Sequence, residues 1–130
     1  MEPYAIIDES SFPIIRIGFT GAKSTDENFQ AYLDQNKACY RNGGPLVLIF
    51  DATKASIPDI AHQKMQANWL KENEALMKSH CLGTAYIIPN SLIRGILNMI
   101  FSFQKQPVPY QIVKTKAEAL DWVQGMLAGK

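Results

Sequence analysis

Apolar positions along the chain form two kinds of pattern, short continuous runs and stripes at helical spacing. The run over residues 45–51 shows no alternation of apolar and polar positions and ends on a carboxylate, which predicts a strand buried on both faces. A second run, residues 83–88, is followed by Pro89-Asn90-Ser91, which is typical of a helix start. Two strand-to-helix units in succession predict a parallel sheet covered by helices.

The N-terminal part predicts a hairpin and a first helix. Residues 4–8 and 13–19 are β-type runs separated by three polar residues, which indicates two antiparallel strands. Ser24 stands three residues before Glu27, the spacing of a capping box, so the first helix is expected to begin there. Its buried face repeats at helical spacing and has one polar member: Phe29, Tyr32, Leu33, Asn36 and Tyr40.

The remaining elements give the order β-β-α-β-α-β-α-β-α. A long helix is expected over about residues 58–80, with Pro58 in its first turn and Asp59 complementing the helix dipole. A helix over about residues 91–104, a strand over residues 110–113 and a last helix capped at Thr115 follow. The sequence therefore predicts one α/β domain over residues 1–130, with a mixed, mostly parallel sheet flanked by helices.

The helix predicted over residues 91–104 is apolar around most of its circumference. One helix on the outside of a sheet needs less apolar surface than this. Neighbouring helices of the same domain would cover it, or it would face a partner subunit, an apolar ligand or a lipid surface. The apolar interaction or ligand surface is assigned to one stripe of this helix, Leu92, Ile96, Met99 and Phe103.

Composition narrows the functional classes. The chain carries 13 basic and 12 acidic residues, a net charge of +1 spread along its length, so it offers no electrostatic footprint for nucleic acid. Cys39 and Cys81 lie outside any metal or redox motif, so two free thiols and no metal or cofactor are expected. No apolar run approaches the roughly 20 residues that span a bilayer, and the first residues do not resemble a signal peptide. These features favour a cytoplasmic protein that does not span a membrane.

Two places carry candidate chemistry. Open α/β sheets place ligands at the carboxyl ends of their strands, where Asp51 stands, and Asp59 and His62 could converge on it. The alternative is that the latter two only cap and solvate a first helical turn. Near the other strand end, Asn90, Ser91 and Arg94 could bind an anion at a helix N-terminus or serve only as a cap.

Signals for catalysis are weak. The chain has no glycine-rich phosphate loop and no nucleophile motif, so an enzyme is the weaker class and no catalytic residue is assigned.

Several segments together resemble the SpoIIAA-like, or STAS-like, family, which includes anti-sigma factor antagonists and shares its fold with lipid-binding Sec14-type domains. The resemblance spans nearly the whole chain and is closest to small bacterial members of that family. It rests on the element order and on three segments: Phe50-Asp51-Ala52-Thr53, the unit from Gly83 to Asn90, and Thr115-x-x-Glu118-Ala119-Leu120-x-Trp122.

The resemblance implies a regulatory loop after the central strand, with Asp51, Thr53, Ser56 and Asp59 as its candidate residues. In the signalling branch of the family a phosphorylated serine stands at the start of the following helix, and Ser56 is the nearest match here. Ile57-Pro58 replaces the expected small residue and glycine. Ser56 with Asp59 also fits an ordinary helix N-cap.

Two hypotheses follow. The first is a non-enzymatic interaction or signalling module that docks on itself as a homodimer or on another protein, through the loop and the apolar helix, with a charge change at Ser56 as a gate. The alternative is a Sec14-like binder of a small apolar or lipid ligand.

Overall fold

Five strands form a single sheet in the computed structural model, which describes residues 2–129. In spatial order, which is also chain order, they are β1 (Ala5–Asp8), β2 (Ile14–Phe19), β3 (Leu46–Asp51), β4 (Cys81–Ile87) and β5 (Tyr110–Val113). β1 is antiparallel to β2, and each remaining neighbouring pair is parallel. The predicted hairpin, the α/β class and the mixed, mostly parallel sheet are confirmed.

Five helices connect or follow these strands: α1 (Asp26–Ala38), α2 (Ile60–Glu72), α3 (Glu74–His80), α4 (Ser91–Phe103) and α5 (Lys116–Ala128). The single helix predicted over residues 58–80 is wrong in two respects. It begins at Ile60, so Pro58 lies before its first turn, and it is interrupted at Asn73. The Asn73 side chain donates to the Trp69 carbonyl at 2.9 Å, because a short amide competes with the backbone for such bonds.

The start of α1 lies one residue later than the predicted capping box. Thr25 is the N-cap: its hydroxyl accepts the Asn28 N–H at 3.0 Å, and the Asn28 side chain accepts the Thr25 N–H at 2.8 Å. Ser24 is buried instead and bonds to a residue of α2. The cap predicted at Thr115 is confirmed, since its hydroxyl accepts the Glu118 N–H.

The two faces of the sheet are covered unequally. Leu48 and Phe50 of β3 pack into the larger core, formed with α1 to α4, whereas Val47 and Ile49 pack into a smaller core under α5. Alternate side chains of a strand point to opposite faces, so the unbroken apolar run fills both cores and the predicted two-sided burial of β3 is confirmed. α5 contacts β3, β4 and β5, which leaves the same face of β1 and β2 open.

Candidate functional site

The loop after β3 divides between the two faces of the sheet. Asp51 and Thr53 line an open groove on the α5 side, whereas Ser56 lines a cavity on the opposite side. The Asp51 carboxylate accepts bonds from the backbone N–H and the hydroxyl of Thr53, a local turn of the kind that aspartate commonly forms. Asp59 is the N-cap residue of α2, without a side-chain bond to that helix. The four residues assigned to a regulatory loop therefore do not form one patch.

Ser56 does not cap α2, so the N-cap interpretation is wrong. Its hydroxyl donates to the carbonyl of Ala22, 34 positions away, at 2.7 Å, and the residue is half-buried. The bond ties the β3–α2 loop to the segment that precedes α1. Sequence spacing suggested a local partner, but this partner is brought near only by the fold.

The groove on the α5 side has a volume of about 690 Å³. Its floor includes Ile17 and Ile49 of the sheet, and its walls carry charges of both signs: Asp8, Arg16, Asp51, Lys54 and Lys116. Mixed charge along an open surface favours solvation over selection of an ion of one sign. The groove is therefore the weaker candidate for a ligand site.

His62 does not meet Asp51. Its buried ring bridges Ser24 and Asp26, with Nδ1 2.7 Å from the Ser24 oxygen and Nε2 2.9 Å from an Asp26 carboxylate oxygen. The Ser24 oxygen also accepts the backbone N–H of Asp59 at 3.1 Å. The predicted convergence of Asp51, Asp59 and His62 is wrong, because the ring is directed toward the start of α1.

Serine, histidine and aspartate are the residue types of a hydrolase triad, but a substrate could not reach the serine of this cluster. The Ser24 side chain is buried, its oxygen already accepts a backbone N–H, and Ser24 lines neither the groove nor the cavity. The arrangement fits a clamp between the starts of α1 and α2. Ser24 and Asp26 were missed as partners of His62 because they lie 36 to 38 positions away in sequence.

A cavity with a volume of about 90 Å³ lies between the sheet and α1, α2 and α4. Aromatic and aliphatic side chains make up most of its wall. The aromatic members are Tyr4, Phe19, Phe29, Tyr32, Phe50, Trp69, Tyr86 and Phe101. None of the lining side chains that the structure describes is charged. An apolar wall with a few polar groups is the usual character of a small-molecule site.

Three tyrosine phenols reach this wall, and burial changes their acidity. Burial raises the pKa of Tyr4 to about 12. Burial and the neighbouring phenols of Tyr86 and Tyr4 raise the pKa of Tyr32 well above its ordinary value. The pKa of Tyr86 is also raised by burial, although the amide of Gln106 donates to its oxygen at 2.7 Å. All three phenols are therefore uncharged at neutral pH, and the cavity carries no negative charge.

The apolar stripe predicted on α4 is divided between the cavity and the surface. Ile96 lines the cavity, whereas Leu92, Met99 and Phe103 have 60%, 47% and 43% of their surface exposed. Of these four residues only Ile96 reaches the cavity, because α4 packs mainly against α2 and turns the other three outward. The cavity receives other side chains of α4 that the prediction left out: Ile93, Leu97, Ile100 and Phe101.

The candidate anion site forms the start of α4. The Asn90 side chain accepts the Ile93 N–H at 2.9 Å, so its alternative role as a cap is confirmed. Ser91 and Arg94 are exposed. The Asn90 side-chain oxygen is already bonded to the helix backbone. The exposed Arg94 is therefore the charged group that this candidate site could offer to an anion.

Three further features bear on the class of the protein: its thiols, its possible metal ligands and the character of its helices. Cys39 and Cys81 are buried free thiols. Within residues 2–129 there is no group of three or more histidine, cysteine or acidic side chains placed to hold a metal ion. None of the helices over the same residues has the length and apolar character needed to cross a membrane.

No family model and no curated protein matches the chain. The STAS-like resemblance accordingly stays a prediction.

Proposed function

We propose that this protein is a non-enzymatic binding module that holds a small apolar ligand between its sheet and α4. The observation that carries the proposal is the aromatic-walled cavity of about 90 Å³, which has no charged lining side chain among the described residues. Transfer of an apolar molecule from water into such a site lowers the free energy, because apolar surface leaves water and no charged side chain loses its hydration. This is the Sec14-like alternative of the sequence, restricted to a small ligand.

The size of the cavity limits the ligand. A buried apolar cavity of about 150 Å³ is enough for benzene. At about 90 Å³ the present cavity suits a smaller molecule, and a long acyl chain would enter only if α4 moved away from the sheet. α4 is suited to act as a lid because it packs mainly against one neighbouring helix, α2.

Native mass spectrometry of gently purified protein, followed by titration with a small apolar molecule, tests the proposal. We expect retained noncovalent mass or saturable binding. Leu97→Trp should abolish binding, because Leu97 lines the cavity and a larger ring would fill it. Leu92→Trp is the matched control, since Leu92 is exposed on the same helix. Absence of both retained mass and saturable binding would contradict the proposal.

A second candidate function rests on the exposed apolar side chains of α4. Leu92, Met99 and Phe103 lie on one side of the helix, and the Lys64 ammonium lies 5.9 Å from the centre of the Phe103 ring. Exposed apolar patches mark interaction surfaces. Under this candidate the module docks on a second copy or on another protein, as expected for a STAS-like signalling domain.

Met99→Lys tests self-association. A lysine in the centre of the stripe would place a charge in the interface, so the variant should be monomeric where the unmodified protein is dimeric. Asn98→Lys adds the same charge at an exposed polar position of α4 and should leave the dimer intact. Sedimentation equilibrium measures both, and a monomeric unmodified protein would overturn the homodimer.

We further infer a bacterial STAS-like protein that works in the cytoplasm. The element order supports the family, and the two buried free thiols fit a reducing compartment.

A further inference from the structure

Asn36 is the most unusual residue of the cavity wall. It lies in α1, only 2% of its surface is exposed, and its Oδ1 has no hydrogen-bond partner among the described residues. Buried polar atoms are nearly always paired, and an unpaired one calls for an explanation such as an absent ligand. An amide oxygen accepts hydrogen bonds, so its missing partner is a donor.

The surroundings of Asn36 exclude a charged partner. The phenols of Tyr32 and Tyr86 line the same cavity and are uncharged at neutral pH, so they would not neutralise a cation. Transfer of an ion from water into such an apolar site is strongly unfavourable. The donor that Asn36 requires therefore belongs to a neutral molecule.

Among the described side chains of the wall, Asn36 is the one with a fully buried polar atom that lacks a hydrogen-bond partner. The Ser56 hydroxyl donates to Ala22, and the Gln106 amide donates to Tyr86. Asn36 is therefore the polar position where a ligand gains most, because its oxygen changes from unpaired to paired. Elsewhere in the cavity a ligand meets apolar and aromatic side chains.

We propose that the ligand is a small, uncharged, mostly apolar molecule whose single N–H or O–H group donates to the Asn36 side chain. This inference rests on the proposed function and specifies the chemistry of the same site. A five-membered ring with one N–H group has the required properties and is smaller than benzene. Pyrrole is such a probe, and furan is its near-isostere without the N–H.

Nuclear magnetic resonance titration of the full chain with each probe provides the test. We expect pyrrole to bind about tenfold more tightly than furan, the range that one hydrogen bond to a buried, otherwise unpaired group supplies. Furan is expected to bind weakly at the same site, because its ring still leaves water. The comparison in the unmodified protein requires no variant to fold.

Asn36→Leu assigns the preference to this residue. Leucine has nearly the same shape but no acceptor, so the variant should bind the two probes within about twofold of each other. Gln35→Leu is the control: it removes an amide from an exposed position of the same helix, outside the cavity wall, and should keep the tenfold preference. The amide spectra of the same titrations show that each variant is folded.

The outcomes separate the two proposals. If neither probe binds saturably, the proposed function fails. If furan binds as tightly as pyrrole, the cavity takes apolar ligands but the requirement for a donor is wrong. If Asn36→Leu keeps the preference for pyrrole, a different group receives the donor and the assignment to Asn36 is overturned.

Discussion

At the scale of single residues, His62 shows how one side chain can order two segments. The Asp59 N–H donates to Ser24, and the Ser24 hydroxyl can then donate to His62 Nδ1 while Nε2–H donates to Asp26. Each hydrogen in this chain has an acceptor when the ring is neutral with its proton on Nε2. The starts of α1 and α2 are thereby held together by side chains that are far apart in sequence.

Ser24→Ala should lower the free energy of unfolding by about 1–3 kcal/mol, because it leaves a buried ring nitrogen and the Asp59 N–H without their partner. Urea unfolding followed by circular dichroism measures the change. Ser11→Ala, at an exposed serine, should change the free energy by less than about 0.5 kcal/mol. Equal stability of the two variants would show that the clamp contributes nothing.

Ser56→Asp should destabilise the protein by about 1–3 kcal/mol, because a carboxylate cannot donate and would face the carbonyl oxygen of Ala22. Ser56→Ala, which only loses the bond, should cost about 1 kcal/mol. Thermal unfolding of both variants provides the measurement. A phosphate at Ser56 would break the same bond, so charge at this position would release the β3–α2 loop. Unchanged stability of Ser56→Asp would refute this effect.

At the scale of elements, the packing of α5 on β4 explains the motif Glu118-Ala119-Leu120-x-Trp122. Ala119 is fully buried against the sheet, and the Trp122 ring occupies the space beside Gly83. A Cβ at Gly83 would lie 2.8 Å from a carbon of this ring, which is closer than real Cβ contacts. A glycine in the strand and a tryptophan in the helix are therefore complementary, and neither is explained by its own element.

Gly83→Ala should lower the free energy of unfolding by about 1–3 kcal/mol, because the added methyl group forces Trp122 to move. Gly95→Ala is the matched comparison, since a Cβ at Gly95 of α4 meets no atom within 4 Å. Alanine favours a helix more than glycine by about 0.8–1.0 kcal/mol, so this variant should be stabilised. Chemical unfolding gives both values. The same sign for both substitutions would contradict the packing argument.

At the scale of the whole molecule, aromatic rings link the sheet to the helices of the larger core. Phe19 stacks on Phe50 and Phe50 stacks on Tyr86, with ring centres 6.1 and 5.2 Å apart. Tyr4 and Tyr32 join them from the start of the chain and from α1. The rings that line the cavity are thus also a main part of the core, so ligand binding and stability are expected to be coupled.

The free energy of unfolding should fall steeply as the pH rises above about 10. Tyrosines of the unfolded chain ionise near pH 10, whereas burial raises the pKa of Tyr4 to about 12 and the pKa of Tyr32, Tyr40 and Tyr86 as well. Their stabilising contribution is complete below pH 10 and is lost as pH rises toward and through the folded-state pKa. Each contributes a slope of about −1.4 kcal/mol per pH unit, because the unfolded state binds fewer protons there.

Unfolding free energies measured from pH 9 to pH 12 test this dependence. They should be nearly constant at pH 9 and fall increasingly steeply above pH 10. Tyr4→Phe should reduce the slope by the contribution of one proton, about 1.4 kcal/mol per pH unit. A flat profile through pH 12 would show that the buried phenols do not control alkaline stability.

Local sequence patterns determined much of the framework. The apolar run over residues 46–50 predicted the central strand, and helical spacing predicted the buried face of α1, including Asn36. The caps at Asn90 and Thr115 were also predictable, because each hydroxyl or amide bonds a backbone N–H three residues away. Information of this kind lies within one or two helical turns, so it is present in a short stretch of sequence.

The tertiary structure alone decided the candidate site. The partner of Ser56 is 34 positions away. Ser24 bonds to a histidine 38 positions away and does not cap α1 as its sequence spacing predicted. Asn36 became significant only when the packing of the sheet and helices left its oxygen unpaired beside a cavity. Side-chain chemistry and spacing fix what a residue can bond locally, whereas the long-range packing of the chain fixes which of those bonds are made and which groups remain free for a ligand.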